Sequence, residues 1–140
     1  MKEIKGTPKN LMGLLQNTKY TVNYYQREYR WQRRQIEELI NDLTTEFLRN
    51  YKFGHDRDKV SDYDIYFMGS IILVGRENEI VDGQQRLSSL TLLLMYLRNC
   101  LIKSKKNHPT LEQIIYSEVR GKKSFNIDVS TATFNGVCLS

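Results

Sequence analysis

Apolar positions recur along the chain at two spacings. Ile36, Leu39, Ile40, Leu43, Phe47 and Leu48 fall on one face at helical spacing and predict an amphipathic helix. Leu87, Leu90, Leu93, Leu94 and Leu97 repeat the pattern more densely, which predicts a central core helix over Leu87 to Lys103. Leu11, Leu14 and Leu15 suggest a short first helix. The aromatic and β-branched residues of Tyr20 to Tyr24 predict a strand. A second strand is expected over Tyr66 to Val74, a turn at Gly75-Arg76-Glu77-Asn78, and a returning strand over Glu79 to Asp82, together an antiparallel hairpin. The polar stretch Asn50 to Tyr63 predicts a mobile loop. Thr110-Leu111-Glu112-Gln113 has capping-box spacing and opens another helix, with Gly121 placed to stop it. Ser124 to Val129 predicts a last strand, and Ser130 to Ser140 carries no pattern. No repeat or low-complexity segment interrupts this order.

One junction is more polar than a connector requires. Between the apolar strand and the core helix stands Asp82-Gly83-Gln84-Gln85-Arg86. A strand-to-helix turn presents backbone N–H groups at the positive end of the helix dipole, a ready anion site. Gly83 lets the backbone approach a ligand closely. Arg86 offers a planar fork of donors that matches phosphate oxygens. Ser88, Ser89 and Thr91 add hydroxyls in the first turns. Gln84 and Gln85 can donate and accept, and Asp82 can hold Mg²⁺, orient Arg86 or act as a base. The group reads as a phosphate cradle, although as an isolated string it is more often turn chemistry with a helix cap. It is not a P-loop, because no G-x-x-x-x-G-K-[ST] occurs.

A second cluster, Tyr24-Tyr-Gln-Arg-Glu-Tyr-Arg-Trp-Gln-Arg-Arg34, interleaves Tyr25, Tyr29 and Trp31 with Arg27, Arg30, Arg33 and Arg34. Aromatics and arginines together can stack on bases and pair with phosphates. An amphipathic helix entry explains the same residues equally well.

The chain has 140 residues, enough for one core, with 40% apolar and 26% charged residues. No apolar run is long enough to span a bilayer, and Met1 to Leu11 lacks a secretory signal. Cys100 and Cys138 are far apart and unpaired by any C-x-x-C spacing, which favours a reducing, cytoplasmic setting over zinc or disulfides. His55 and His108 stand alone. The formal charge of +5, from 21 basic and 16 acidic residues, favours an anionic partner, though Lys103, Lys105 and Lys106 fit a solvated helix end.

The order of three motifs is specific: Tyr-Gln-Arg-x-Tyr-x-Trp at 25–31, Gly-Ser-Ile-Ile-Leu at 69–73, and Val-Asp-Gly-Gln-Gln-Arg-Leu-Ser-Ser-Leu at 81–90. Together they resemble the DGQQR-motif domain of the ParB/sulfiredoxin-like superfamily. That domain is the N-terminal half of GmrSD-type type IV restriction enzymes and occurs in SspE-like anti-phage proteins. The resemblance runs from about Leu11 to Val129, the Ser124 to Val129 strand included. It implies an α+β fold with a ParB/sulfiredoxin-like core, a small mixed sheet, and a β-hairpin packed against helices. Residues 1–129 would form the domain and 130–140 a truncated tail.

It further implies a domain that binds, and can hydrolyse, nucleoside triphosphates with Mg²⁺, coupling the nucleotide to DNA recognition or nuclease control in phage defence. By position, Asp82, Gly83, Gln84, Gln85, Arg86 and Ser88 would line the nucleotide site, Asp82 with a metal or water-orienting role. Tyr25, Gln26, Arg27, Tyr29 and Trp31 would form or support its other wall, and Ser70 would contribute. Arg27 and Arg86 would contact phosphates. An HNH-type nuclease domain or subunit and a homodimer are the implied protein partners.

The chain departs from the family at Asn23, where a proline is usual, and after Ser130. Family members are longer, so a fragment, a truncated product or a stand-alone sensor is expected, and the sequence holds no nuclease constellation. Sulfiredoxin chemistry is excluded, because Gln84 stands where its cysteine belongs. Two alternatives remain: a DNA-binding module without hydrolysis, and an interaction domain whose nuclease half is missing.

Overall fold

The computed structural model describes residues 5–22, 30–106 and 108–127. The chain forms two compact units, one from residues 1–29 and 71–140, the other from 30–70.

The first unit is α+β. It contains α1 (Leu11–Leu15), β1 (Thr21–Val22), β2 (Ile72–Val74), β3 (Glu79–Asp82), α3 (Gln84–Lys103), α4 (Pro109–Ile115), β4 (Tyr116–Val119) and β5 (Lys122–Phe125). α2 (Arg33–Asn50) belongs to the second unit. The sheet order is β1-β3-β2, with β1 parallel and β2 antiparallel to the central β3. β4 and β5 pair as a separate antiparallel hairpin. Asn10 starts α1, its Oδ1 accepting the Gly13 N–H at 2.7 Å.

The core gathers Leu15 from α1, Ile80 from β3, Leu87 and Leu94 from α3, and Ile114 and Ile115 from α4, with Tyr20 and Ile127 from the segments flanking β1 and β5. α3 buries Leu87, Leu90, Thr91 and Leu94, the i, i+3, i+4, i+7 stripe of a helix laid on a core. Leu97, at the end of the predicted stripe, is exposed.

The centre of this core is polar. Asn126 is 1% exposed. Its Nδ2 donates to the Leu15 carbonyl at 2.7 Å and the Gln113 carbonyl at 3.1 Å. Its Oδ1 accepts from the Ser117 hydroxyl. Its backbone N–H donates to the Ile115 carbonyl at 2.9 Å, and its carbonyl accepts from the Tyr20 N–H at 2.8 Å. One side chain thereby satisfies the carbonyl ends of α1 and α4 and ties them to β4.

A half-buried ion cluster joins α3, α4 and β5. Glu112 accepts from Arg98 and, at 2.9 Å, from Lys123. Tyr116 stacks on Phe125 with centroids 4.9 Å apart and receives Lys123 Nζ 4.6 Å from its ring. Burial pushes the Glu112 carboxyl up, but the hydrogen bonds from Lys123 and Arg98 outweigh it and hold the group below its ordinary value. A lowered folded value means stability that is present above the unfolded value and lost as pH falls through the folded one. Thermal melts from neutral pH to below the ordinary glutamate range, about pH 4, should therefore show a steeper acid loss in the wild type than in Glu112→Gln.

In the second unit, α2 carries ion pairs Arg33–Glu37 and Arg34–Glu38 at i, i+4 spacing. The chain then folds back along the helix. Asn50 Oδ1 accepts the Asp64 N–H at 3.2 Å, and Tyr66 donates to Asp42 at 2.9 Å. Phe47, Tyr51, His55 and Tyr63 cluster by their rings. The stretch Asn50 to Tyr63, predicted as a mobile loop, begins with the last residue of α2 and holds a 3₁₀ turn at Asp58–Asp62.

Several strand and helix limits differ from those the sequence predicts. The second strand begins at Ile72, since Gly69 at φ 98° interrupts the extended run from Tyr66. α4 starts at Pro109 with His108 before it, so Thr110 is inside the helix and caps nothing. Proline fits the first helical position, where its missing N–H costs no bond. α4 ends at Ile115, and Gly121 stops no helix: it sits in the β4–β5 turn at φ 76°. The predicted strand from Ser124 ends its pairing at Phe125, and Ile127 bridges to Tyr20 instead. Asn23, Tyr24, Asp128, Val129 and residues 130–140 lie outside the described residues. No helix among the described residues is long and apolar enough to cross a membrane.

Candidate functional site

The Asp82–Arg86 string hangs between two fully buried anchors, Ile80 and Leu87, both core residues. Of the six residues between them only Gly83 is buried. Val81 and Asp82 are exposed; Gln84, Gln85 and Arg86 are half-buried. A rigid mount thus presents a polar loop at the surface.

Two local features produce this. The first is a bulge in β3. Leu73 pairs with Ile80 but Ile72 pairs with Asp82, so Val81 is an extra residue in the ladder. Strict alternation would send Asp82 to the side of buried Ile80; the bulge breaks the alternation and keeps Asp82 exposed. The second is Gly83, the N-cap of α3, at φ 90°, ψ 5°. A Cβ is strained there, by about 1–2 kcal/mol. Gly83→Ala should lower stability by about that amount in urea denaturation, without changing the cooperative slope.

Gly83 caps the helix with no side chain. The first intrahelical bond runs from the Leu87 N–H to the Gly83 carbonyl at 3.0 Å. The N–H groups of Gln84, Gln85 and Arg86 therefore lie outside the helix ladder, at the positive end of a 20-residue helix. Asp82 precedes that end, and Gln84, Gln85, Arg86 and Ser88 follow in the first turns of α3.

Two hydroxyls expected to join them do not. Ser89 Oγ donates to the Gln85 carbonyl at 2.7 Å, and Thr91 Oγ1 to the Leu87 carbonyl at 3.0 Å. Both residues are buried, and their hydroxyls satisfy the helix backbone. Ser88 is half-buried.

Of the aromatic-arginine cluster, Tyr25, Gln26, Arg27 and Tyr29 lie outside the described residues. Trp31 is half-buried and Ser70 exposed, both within the 30–70 unit. Arg33 and Arg34 sit in the first turn of α2 with their charges matched by Glu37 and Glu38. The helix-entry explanation fits these two arginines.

Sequence reasoning missed the bulge at Val81. A one-residue register shift leaves no compositional mark in Glu79-Ile-Val-Asp82. It also missed Asn126 as the polar core, for which the one signal is an amide between the apolar Phe125 and Ile127.

The fold and this junction define an α+β domain with a polar, glycine-hinged strand-to-helix turn. A family model for the N-terminal domain of GmrSD restriction endonucleases matches residues 11–135, and the chain belongs to that family. It is a restriction-type, defence-related domain. Searches of curated proteins and of solved structures found no match.

Proposed function

We propose that the domain binds a nucleoside triphosphate at the β3–α3 junction and couples it to DNA recognition or nuclease control in a restriction system. The observation that carries this is the buried, left-handed Gly83 at the start of α3, with Asp82 before it and Arg86 three residues on in the first turn. A plain turn needs neither a 20-residue helix dipole nor a guanidinium beside it.

The residues present suit a phosphate group. The N–H groups of the first turn and the Arg86 fork donate to phosphate oxygens. Asp82 supplies a hard oxygen of the kind Mg²⁺ takes alongside phosphate ligands. A Mg²⁺ held there by Asp82 would supply neutralisation of phosphate charge. Gln84 and Gln85 have the donor and acceptor pair needed to orient a water. Hydrolysis by such a set rests on positioning and charge stabilisation.

Calorimetric titration with GTP, ATP, CTP and UTP tests the reading. At least one should bind saturably, and chelating Mg²⁺ should weaken it. Absence of binding to any of the four by a folded chain would remove the proposal and leave a DNA-binding or interaction domain.

A further inference from the structure

The positive charge of the chain is concentrated. Residues 98–123 hold seven Lys or Arg against two acids, an excess of five that equals the formal charge of the whole chain. This segment is the last turns of α3, all of α4 and the β4–β5 hairpin, joined by Glu112 bridging Arg98 and Lys123.

The hairpin tip is built at a conformational cost. Val119 pairs with Lys122, so the loop is the two residues Arg120 and Gly121. Both have positive φ, 53° and 76°, as tight two-residue hairpin turns require. Glycine and asparagine suit the first of these positions; arginine is strained there. The strain puts a guanidinium at the extreme tip, followed by Lys122. Both are exposed, and their side chains make no hydrogen bond or ion pair among the described residues. The base of the hairpin is held by the Tyr116–Phe125 stack and the Glu112 cluster.

We propose that the β4–β5 hairpin docks on the phosphodiester backbone of duplex DNA, with Arg120 and Lys122 as its charged tip. A two-stranded ribbon is admitted by the major groove, and a four-residue strand reaches about 14 Å at roughly 3.4 Å per residue. The tip lacks what a bilayer surface needs: Val119 is its one apolar residue, and no aromatic accompanies it. Glu118 is the one acid on the hairpin and faces Lys123 across the ladder. The choice of DNA among polyanions rests on the proposed role in a restriction system; the site itself is separate from the β3–α3 junction.

Fluorescence anisotropy of a labelled duplex about two helical turns long, titrated with the full chain over a range of salt, tests this. Arg120→Gly should raise the melting temperature and weaken DNA binding at the same time, an opposition that a structural role for Arg120 does not produce. Arg120→Gly combined with Lys122→Thr should reduce the slope of log K against log salt by about 2, near one for each phosphate no longer neutralised. Lys59→Gln, a charge change in the 30–70 unit, should leave affinity within about twofold, and calorimetry of the double variant should show nucleoside triphosphate binding as in the wild type. Wild-type DNA affinity in the double variant overturns the proposal. So does an absence of DNA binding by the wild type with and without nucleotide, or binding to mixed phosphatidylcholine–phosphatidylserine vesicles in place of DNA. A failure of nucleotide binding with DNA binding intact bears on the junction alone.

Discussion

Asn126→Ala is expected to cost about 3 kcal/mol of folding stability, a large share of what a domain of this size has. The change removes little apolar surface from the core. Its effect comes from the partners left behind: the carbonyls of Leu15 and Gln113 and the hydroxyl of Ser117 lose their bonds in a site that is 1% exposed. Each unsatisfied buried group costs roughly 1–3 kcal/mol, less where water can enter. The melting temperature should fall by roughly 10 °C. Ser117→Ala alone should cost about 1 kcal/mol, because it removes one bond and leaves Asn126 its donors. In the Asn126→Ala background the same change should cost almost nothing, since the hydroxyl has already lost its acceptor. Additive losses in that double-mutant cycle would show that the two side chains are not coupled as described.

Arg86→Ala carries the largest expected effect on binding. Under the proposed function it should weaken nucleoside triphosphate binding by about 100-fold, the loss of a bidentate, charge-assisted pair worth roughly 3 kcal/mol. Arg86→Lys should recover part of the loss, because it keeps the charge and gives up the planar fork. Arg86 is half-buried at the first turn and is not one of the core residues, so the variant should still unfold cooperatively. A cooperatively folded Arg86→Ala protein with wild-type affinity would refute the assignment of this residue.

The legible parts of the fold are those whose period is long. α3 repeats its apolar stripe turn after turn, and the Gly75–Asn78 turn separates two apolar strands. Both stand where the sequence predicts them. α2 is equally legible as a helix. Its apolar face is another matter: Leu39 is buried, while Ile40, Phe47 and Leu48 are exposed. β4 was hidden because Val119 continues the helical spacing of Leu111, Ile114 and Ile115. The strand exists because Ser117 is drawn inward by Asn126, nine residues later, and local periodicity does not contain that bond.

The candidate site was legible as chemistry and less so as geometry. Asp82 to Arg86 announces itself by composition. The bulge that turns Asp82 outward and the backbone bonds that consume the Ser89 and Thr91 hydroxyls depend on register and rotamer, which the residue types leave undetermined. The excess charge was visible as a total. That Arg120 and Lys122 stand together at a hairpin tip required knowing that residues 116–125 form strands.

The most direct test of the central claim follows backbone amides of the ¹⁵N-labelled chain by NMR during titration with a nucleoside triphosphate and Mg²⁺. The N–H groups of Gly83, Gln84, Gln85 and Arg86 should show the largest shifts, saturating together, and the response should vanish in Arg86→Ala. Saturable shifts confined to other segments, with these four amides unmoved, would contradict a phosphate site at the β3–α3 junction.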